Sequence, residues 1–167
     1  MFFVGTYEQT IDSKNRLSIP HAIRQKINYE TDGRGLYVAP GRTKGTLAIY
    51  PEKYFERLCD LGVSPDDLSE EAYKWWQFQF SQSVLLDPDS QGRILIPERL
   101  LKRAGIGREV ALIGAKTHLE LWDREQFERF QDEQWSTYTE RQTEVKRELR
   151  QLKAAQTSGG SADSEHE

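Results

Sequence analysis

Short apolar or alternating runs follow one another from residue 6 to residue 122, and most end at a proline or at residues typical of turns. Strict alternation favours a β-strand, whereas apolar residues recurring every three or four positions favour a helix. Strands are therefore predicted at 6–11, 17–19, 36–39, 46–50, 84–86, 94–96, 109–113 and 118–122. Helices are predicted at 21–28, at 52–61, after Ser69, at 98–104 and from Arg124 onward. This mixture indicates an α+β fold.

Two nine-residue segments of the chain nearly repeat each other. DSKNRLSIP occupies 12–20 and DSQGRILIP occupies 89–97, an offset of 77 residues. A second matching pair, 47–55 and 119–127, follows at an offset of 72. In each copy a strand leads into a tight turn, where Asn15 or Gly92 occupies a position suited to positive φ. These matches indicate an internal duplication.

The size of the repeats predicts how they pack. Each spans about 45 residues, too few to bury a stable core alone. We therefore expect the two copies to pack with pseudo-two-fold symmetry around one shared, barrel-like core. The predicted organisation is a first repeat at 7–54, a helical linker at 55–82, a second repeat at 83–126, a C-terminal helix at 127–155 and a disordered tail at 156–167.

The linker helix is rich in aromatic residues and the C-terminal helix in charged ones. Five aromatic residues lie on the predicted linker helix: Tyr73, Trp75, Trp76, Phe78 and Phe80. Such residues can stack on nucleic-acid bases, but no arginines are interleaved with them, so core or subunit packing is the preferred interpretation. The helix after Arg124 is predicted to be solvated, with few apolar positions.

Charge is distributed unevenly along the chain. The formal net charge is -4, which excludes a protein that coats nucleic acid by bulk charge. Residues 1–50 nevertheless carry a net +3, residues 51–100 a net -5, and residues 101–153 a net +1. The first repeat is therefore the one clearly basic region, and a local nucleic-acid-binding patch is expected there.

Composition also bears on the cellular environment and on chemistry. The single cysteine, Cys59, excludes an intrachain disulfide framework and a multi-thiolate metal site. The N-terminus does not resemble a signal peptide and the sequence contains no membrane-spanning run, so a soluble cytoplasmic protein without a membrane partner is expected. The three histidines are scattered, and no nucleophile or phosphate-loop motif occurs. We therefore predict no catalytic or metal site, no cofactor and no small-molecule substrate.

The two DSxxR turns are the strongest candidate site. Asp12, Asp89 and Gly92 are predicted to shape the turns, because an aspartate can accept backbone N–H bonds in the turn that it opens. Both copies keep the Asp and the Arg, so this pair has an architectural interpretation, whereas Lys14 is replaced by Gln91 in the second copy. A two-stranded ribbon fits the DNA major groove, and arginine suits guanine or phosphate. The predicted DNA-contacting residues are Ser13, Lys14, Asn15, Arg16, Arg24 and Arg93.

The doubled motif resembles the MraZ family of bacterial regulators, as do the opening Gly5-Thr6-Tyr7 and the Leu119-Glu-Leu-Trp122 segment. The resemblance implies two SpoVT/AbrB-like half-barrels of the swapped-hairpin type and a ring-shaped homo-oligomer. It implies nucleoid-associated binding to double-stranded DNA, at direct repeats upstream of the division and cell wall gene cluster, usually with repression. It assigns the DNA-reading role to Lys14 and Arg16 of the first hairpin, and leaves open whether Arg93 touches DNA or only stabilises its own hairpin.

A second hypothesis from a different class stays open. An AbrB-like barrel also serves as the dimerising part of antitoxins that grip a partner protein, and the charged C-terminal helix would then be the gripping segment. An enzyme is the third and weakest hypothesis, because the catalytic constellations are missing.

Overall fold

The computed structural model describes residues 2–60 and 62–159, with side chains described as far as residue 155. The chain divides into two compact units, of which the first ends at Phe127 and the second begins at Glu128. The strands are β1 (Thr6–Thr10), β2 (Arg16–Ser18), β3 (Leu36–Pro40), β4 (Thr46–Pro51), β5 (Val84–Leu86), β6 (Arg93–Leu95), β7 (Glu109–Gly114) and β8 (Leu119–Asp123). The helices are α1 (His21–Arg24), α2 (Tyr29–Asp32), α3 (Glu52–Cys59), α4 (Glu70–Gln82), α5 (Glu98–Ala104) and α6 (Arg124–Gly159), with a 3₁₀ turn at Pro65–Asp67.

Prolines and one serine mark where helices begin. Pro20, Pro51 and Pro97 precede α1, α3 and α5 with φ values of -53°, -57° and -57°. Proline is compatible with these positions because its fixed φ and missing N–H cost nothing where a helix starts. The Ser69 hydroxyl accepts a 3.3 Å hydrogen bond from the Ala72 N–H at the start of α4, as the sequence predicted.

Strands of the two repeats interleave in the main sheet. Its order is β1-β7-β8-β4-β3-β5, and every neighbouring pair is antiparallel. The first strand of each repeat pairs with the third strand of the other, β1 with β7 and β5 with β3. If each strand is replaced by its equivalent in the other repeat, the result is the same order read from the opposite edge of the sheet. The strand order thus has the pseudo-two-fold symmetry that the duplication predicted.

A separate two-stranded ribbon, β2 with β6, obeys the same symmetry. Leu17 lies opposite Ile94 in the ribbon, and these residues are equivalent by the 77-residue offset. Ala48 lies opposite Glu120 in the central β4–β8 pair, and these are equivalent by the 72-residue offset. Each of these pairs therefore lies on the pseudo-two-fold axis.

One continuous hydrophobic core joins both repeats. The largest fully buried side chains of this core come from both copies and from the segment before the first: Phe3, Ile11, Leu17, Ile19, Ile23, Ile49, Ile94, Ile96, Leu100, Leu112, Leu119 and Leu121. Burial of large aliphatic side chains stabilises a fold by about 1.5–3 kcal/mol each relative to exposure. The shared core supplies what neither repeat can build alone, as expected.

The helix boundaries differ from the sequence prediction in several places. The helix predicted at 21–28 ends at Arg24, and a further helix, α2, begins after Asn28, whose side-chain Oδ1 accepts a hydrogen bond from the Glu30 N–H. The helix predicted to end at residue 61 ends at Cys59. The C-terminal helix continues to Gly159, beyond the predicted end at 155, and residues 160–167 of the predicted disordered tail lie outside the described residues.

Candidate nucleic-acid interface

The turn of the first hairpin, the segment formed by β1, its turn and β2, is built around the Asp12 carboxylate. The strands of this segment pair with β7 and β6 rather than with each other. Its Oδ1 accepts hydrogen bonds from the backbone N–H groups of Lys14 and Arg16, both at 2.9 Å. Its Oδ2 accepts the Arg16 side-chain Nε–H at 2.6 Å. The Asn15 N–H donates to the Asp12 carbonyl at 3.0 Å, and Asn15 has a φ of 59°. The turn residues predicted from the sequence are therefore brought together, with Asp12 in the turn-shaping role.

The second turn repeats these contacts. The Asp89 carboxylate accepts the backbone N–H groups of Gln91 at 2.9 Å and Arg93 at 3.0 Å. The Arg93 side chain donates through Nε at 2.9 Å and lies with Nη2 2.8 Å from the same oxygen. Gly92 has a φ of 74°. The Asp–Arg pair is thus an architectural part of both turns, which was one of the two interpretations of the motif.

Hydrogen bonding holds both aspartates in the charged form. The backbone N–H of Arg16 is the main cause that lowers the pKa of Asp12 below its ordinary value. The side chain of Arg93 is the main cause that lowers the pKa of Asp89, to about 2. At neutral pH each carboxylate is therefore an ionised acceptor rather than a proton donor.

The ribbon presents one face to the core and the other to solvent. Leu17 and Ile94 are completely buried. The alternating positions point outward: Arg16 and Arg93 are half-buried, Ser18 is exposed, and Leu95 is 58% exposed. Arg16 pairs with Leu95 and Ser18 with Arg93. Both predicted arginines therefore lie on the same solvent-facing side of one two-stranded ribbon.

The tip of the first hairpin is the more exposed part of this surface. Ser13 and Lys14 are exposed, and Asn15 is half-buried. The Asn15 carbonyl accepts the N–H of Ile96, and the Gly92 carbonyl likewise accepts that of Ile19, both at 2.9 Å. Each turn is thereby fixed to the other repeat, so that Lys14 projects from a rigid support.

Arg24 lies beside the second turn, although it belongs to the first repeat. Its Nε–H donates to the carbonyl of Ile19 at 3.1 Å. A Cβ added to Gly92 would lie 2.5 Å from this Nε, so the guanidinium occupies the space that a side chain would need. Arg24 and Arg34 line a surface groove together with Asp89 and the neighbouring Asp87.

No local sequence pattern encodes the position of Arg24 beside the second turn. Arg24 was predicted as a DNA-contacting residue of the first-repeat helix, but nothing in the helix pattern shows that the interleaved strands place it against the other copy's turn. The glycine in place of Asn15 at the second turn was the available signal. It marks a position where another group approaches the backbone closely.

A family model described as "MraZ protein, putative antitoxin-like" matches residues 2–62 and 80–148. The matched residues contain both hairpins, the ribbon and the strands of the main sheet. The chain belongs to the MraZ family.

Relatives of this MraZ-family chain carry the name Transcriptional regulator MraZ. One from Mycoplasmoides gallisepticum is 32% identical over 83% of this chain and 93% of its own length. One from Heliobacterium modesticaldum is 30% identical over 83% and 92%. One from Dictyoglomus thermophilum is 34% identical over 79% and 86%. The similarity therefore extends over nearly the whole length of each relative.

The aromatic residues of α4 are not part of the core in this MraZ-family fold. The exposed fractions are 44% for Tyr73, 59% for Trp75, 55% for Phe78 and 43% for Phe80. The core interpretation is wrong for these four, while subunit packing remains a prediction. Trp75, Trp76, Phe78 and Phe80 line a groove of about 620 Å³ that also includes Tyr50 and Phe55.

The remaining candidate groups are accounted for by local contacts. His118 lies with Nε2 3.6 Å from Glu120 Oε1, and its ring stacks on Tyr50 at 4.7 Å. Burial raises the pKa of the half-buried Cys59 thiol.

Within residues 2–60 and 62–159, no three His, Cys, Asp or Glu side chains form a group that would hold a metal ion. In that same part of the chain, no helix has both the length and the apolar character needed to cross a membrane.

Proposed function

We propose that this chain is a transcriptional regulator that binds double-stranded DNA in a sequence-specific manner through the β2–β6 ribbon and the first-repeat turn. The observation that supports this most directly is the solvent-facing ribbon, which carries Arg16 and Arg93 beside the exposed tip at Lys14. The names of the relatives agree with regulation of transcription.

The ribbon has the shape and chemistry for the major groove. The groove is about 12 Å wide and admits a two-stranded β-ribbon, whose outward side chains then reach base edges. Arg16 donates its Nε–H to Asp12, and its guanidinium also carries two terminal amino groups. Those groups form the fork that matches guanine O6 and N7 or a phosphate.

The two hairpins have different roles in this proposal. The Arg16 side chain is 33% exposed and lies next to the exposed Lys14, whereas Arg93 is 27% exposed and has the neutral Gln91 at the equivalent position of its turn. Arg16 is accordingly the base-reading residue, and Lys14 contacts phosphate. Ser13 and Asn15 contribute at the tip of the same turn. Arg93 and Arg24 lie beside the second turn, and their positive charges attract the phosphates of the DNA backbone.

Assembly multiplies the contacts of one small hairpin. We propose a ring of subunits in which the aromatic groove of α4 takes part in subunit contacts. Neighbouring hairpins then occupy successive direct repeats in a promoter, and each further contact is intramolecular, which adds about 10²–10⁴ in affinity where the spacing fits.

The target in this proposal is the promoter of the division and cell wall gene cluster, which the bound ring represses. The protein is cytoplasmic and nucleoid-associated.

The pairing of each repeat's first strand with the other repeat's third strand supports two half-barrels of the swapped-hairpin, SpoVT/AbrB-like type. In the same proposal, the first repeat spans residues 7–54, the helical linker 55–82 and the second repeat 83–126.

Matched variants of the two hairpins test the DNA-binding site. Arg16→Ala and Arg93→Ala each remove the arginine of an otherwise equivalent turn, so any general effect on turn shape is common to both. We expect Arg16→Ala to weaken binding to a fragment from upstream of the protein's own gene by about tenfold or more, since one bidentate base contact contributes about 1–3 kcal/mol. Arg93→Ala should weaken it several-fold less. Fluorescence anisotropy across a salt series measures both.

Controls separate loss of recognition from loss of structure. Circular dichroism and size-exclusion chromatography of each variant should match the parent. The site assignment fails if a folded, assembled Arg16→Ala variant binds the fragment normally. It also fails if Arg93→Ala causes the larger loss. Footprinting on the same fragment should show protection at regularly spaced direct repeats.

A further inference from the structure

The second unit of the chain carries a continuous row of exposed residues along α6. The row consists of Trp135, Tyr138, Gln142, Val145, Leu149 and Leu152, spaced alternately by three and four positions. The five apolar members are 73%, 55%, 49%, 59% and 54% exposed in chain order. An apolar row of this length on a solvated helix indicates a surface that binds another molecule.

Contacts along the helix show that these residues form one seam. The rings of Trp135 and Tyr138 lie 5.8 Å apart. The Gln142 side-chain amide donates to the Tyr138 hydroxyl at 3.4 Å. Beside this seam, Arg141 donates to Gln134 Oε1 at 3.3 Å, which defines a flanking row of polar side chains.

The spacing of the seam indicates what kind of partner fits it. A straight α-helix drifts by about 20° for every seven residues relative to a strict seven-residue repeat. A seam that keeps the alternation of three and four over 18 residues stays in contact only with a second helix that supercoils around it. Over the 18 residues of this seam the drift adds up to about 50°, so a flat surface would contact only part of the row.

We propose that this seam pairs with the same seam of a second copy of the chain, as an antiparallel two-stranded coiled coil. The seam residues alternate between the first and the fourth position of a seven-residue repeat. In an antiparallel pair, each first-position residue faces a fourth-position residue of the partner. Trp135 then faces Leu152 of the second copy, Tyr138 faces Leu149, and Gln142 faces Val145. The seam is complementary to itself in this register.

The charges beside the seam favour this arrangement over a parallel one. In the antiparallel register, Arg141 lies beside Glu148 of the second copy, and Asp132 lies beside Lys153. Symmetry produces each of these attractive pairs twice. In a parallel coiled coil, Glu148 would lie beside Lys153 of the second copy, but Arg141 would lie beside Lys146, which is a like-charge contact. The polar core residue Gln142 adds to the choice of register.

Cysteine cross-linking of the full chain distinguishes the two orientations. Tyr138→Cys and Leu149→Cys are each made in a Cys59→Ser background and oxidised alone and as a mixture. The antiparallel seam predicts a disulfide-linked dimer in the mixture that contains one copy of each variant, and little dimer from either variant alone. A parallel seam predicts the reverse, since equivalent core positions then face each other. Cross-linking of each variant alone, or no cross-linking in the mixture, overturns the proposal.

A charge-swap series tests the same interface without altering its core. Arg141→Glu places Glu beside Glu148 of the second copy at two symmetric positions, so the dimer dissociation constant should rise about tenfold. Arg141→Glu/Glu148→Arg restores opposite charges and should bring it back close to the parent. Arg147→Glu makes the same change of charge on the opposite side of the helix and should have little effect. Analytical ultracentrifugation over a range of concentrations measures all four proteins.

The outcomes separate this inference from the proposed DNA binding. A parallel coiled coil predicts that Arg141→Glu tightens the dimer, because Glu then faces Lys146. If the seam binds a different protein, as in the antitoxin-like alternative, the charge series leaves self-association unchanged, and the inference fails. None of these substitutions lies in the hairpins, so binding of the promoter fragment by one ring can succeed or fail independently.

Discussion

Asn15 and Gly92 occupy equivalent positions in the two turns, but they differ in what surrounds them. Both have positive φ, 59° and 74°, a conformation that asparagine and glycine adopt more easily than other residues. The Asn15 turn accommodates a side chain, whereas the Arg24 guanidinium fills the space next to Gly92. The second turn therefore favours glycine for two reasons, the positive φ and the lack of space, whereas the first turn shares only the positive φ, which asparagine tolerates.

Alanine at these two positions should have unequal costs. Asn15→Ala introduces only the strain of positive φ, about 1 kcal/mol. Gly92→Ala introduces the same strain and also displaces Arg24, so we expect a total loss of about 2–3 kcal/mol in the free energy of unfolding. Urea denaturation measures both variants. In Arg24→Ala/Gly92→Ala the extra cost should largely disappear; equal costs for the two single variants would contradict the role given to Arg24.

At the scale of the hairpin, one carboxylate organises the whole turn. Asp89 accepts two backbone N–H groups and the side chain of Arg93, and Asp12 does the same with Arg16. All these bonds are strongest when the carboxylate is charged. The stability of the element is therefore linked to the protonation of a single residue.

The link predicts where acid should loosen the second hairpin. The pKa of Asp89 falls from an ordinary value of 3.8 to about 2 in the folded chain. A depressed folded-state pKa contributes stability above the unfolded value, and this contribution is lost as pH falls from about 4 to about 2. The free energy of unfolding of the parent should exceed that of Asp89→Asn by a constant amount down to about pH 4. The difference should then shrink toward pH 2.

Asp66→Asn provides the control for removing one negative charge, since Asp66 lies in the 3₁₀ turn outside both hairpins. Thermal unfolding followed by circular dichroism from pH 7 to pH 2 measures the series. A difference between parent and Asp89→Asn that persists unchanged at pH 2 would show that the carboxylate does not act through its charge.

Sequence patterns predict where helices and strands begin better than they predict what surrounds their side chains. Pro20, Ser69 and Pro97 act locally, so α1, α4 and α5 begin where predicted. The short α2 was missed because its start depends on an Asn28 side-chain bond within a loop-like composition. The sequence left core packing and subunit packing both open for the aromatic residues of α4, because hydrophobicity alone does not distinguish a core from a surface that binds another molecule. Their exposure excludes the core for four of them.

At the scale of the whole molecule, the repeats are not separate domains. β1 and β5 form the two edges of one sheet, and each pairs with a strand of the other repeat. The duplication predicted the symmetry and the shared core, but not which strands pair, because periodicity carries no information about partners distant in the chain. The same missing information concealed the position of Arg24.

Cutting the chain between the repeats should leave them associated. A protease site placed between residues 62 and 64 lies outside every helix and strand of the described residues. After cleavage, the two pieces should co-elute as one folded species, since the sheet and the core join them. Separated under denaturant and refolded alone, each piece should lack near-ultraviolet circular dichroism, and remixing should restore it. A first piece that folds alone would contradict the interleaved sheet.

The pairing of β1 with β7 also determines when the protein can fold during its synthesis on the ribosome. Thr6 emerges early, yet its partner Ile113 is synthesised 107 residues later. At about 5–20 residues per second, the first strand waits roughly 5–20 s for its neighbour. Throughout that interval the apolar faces of the first repeat remain open to other nascent chains, and the fold closes only when the second repeat has left the exit tunnel.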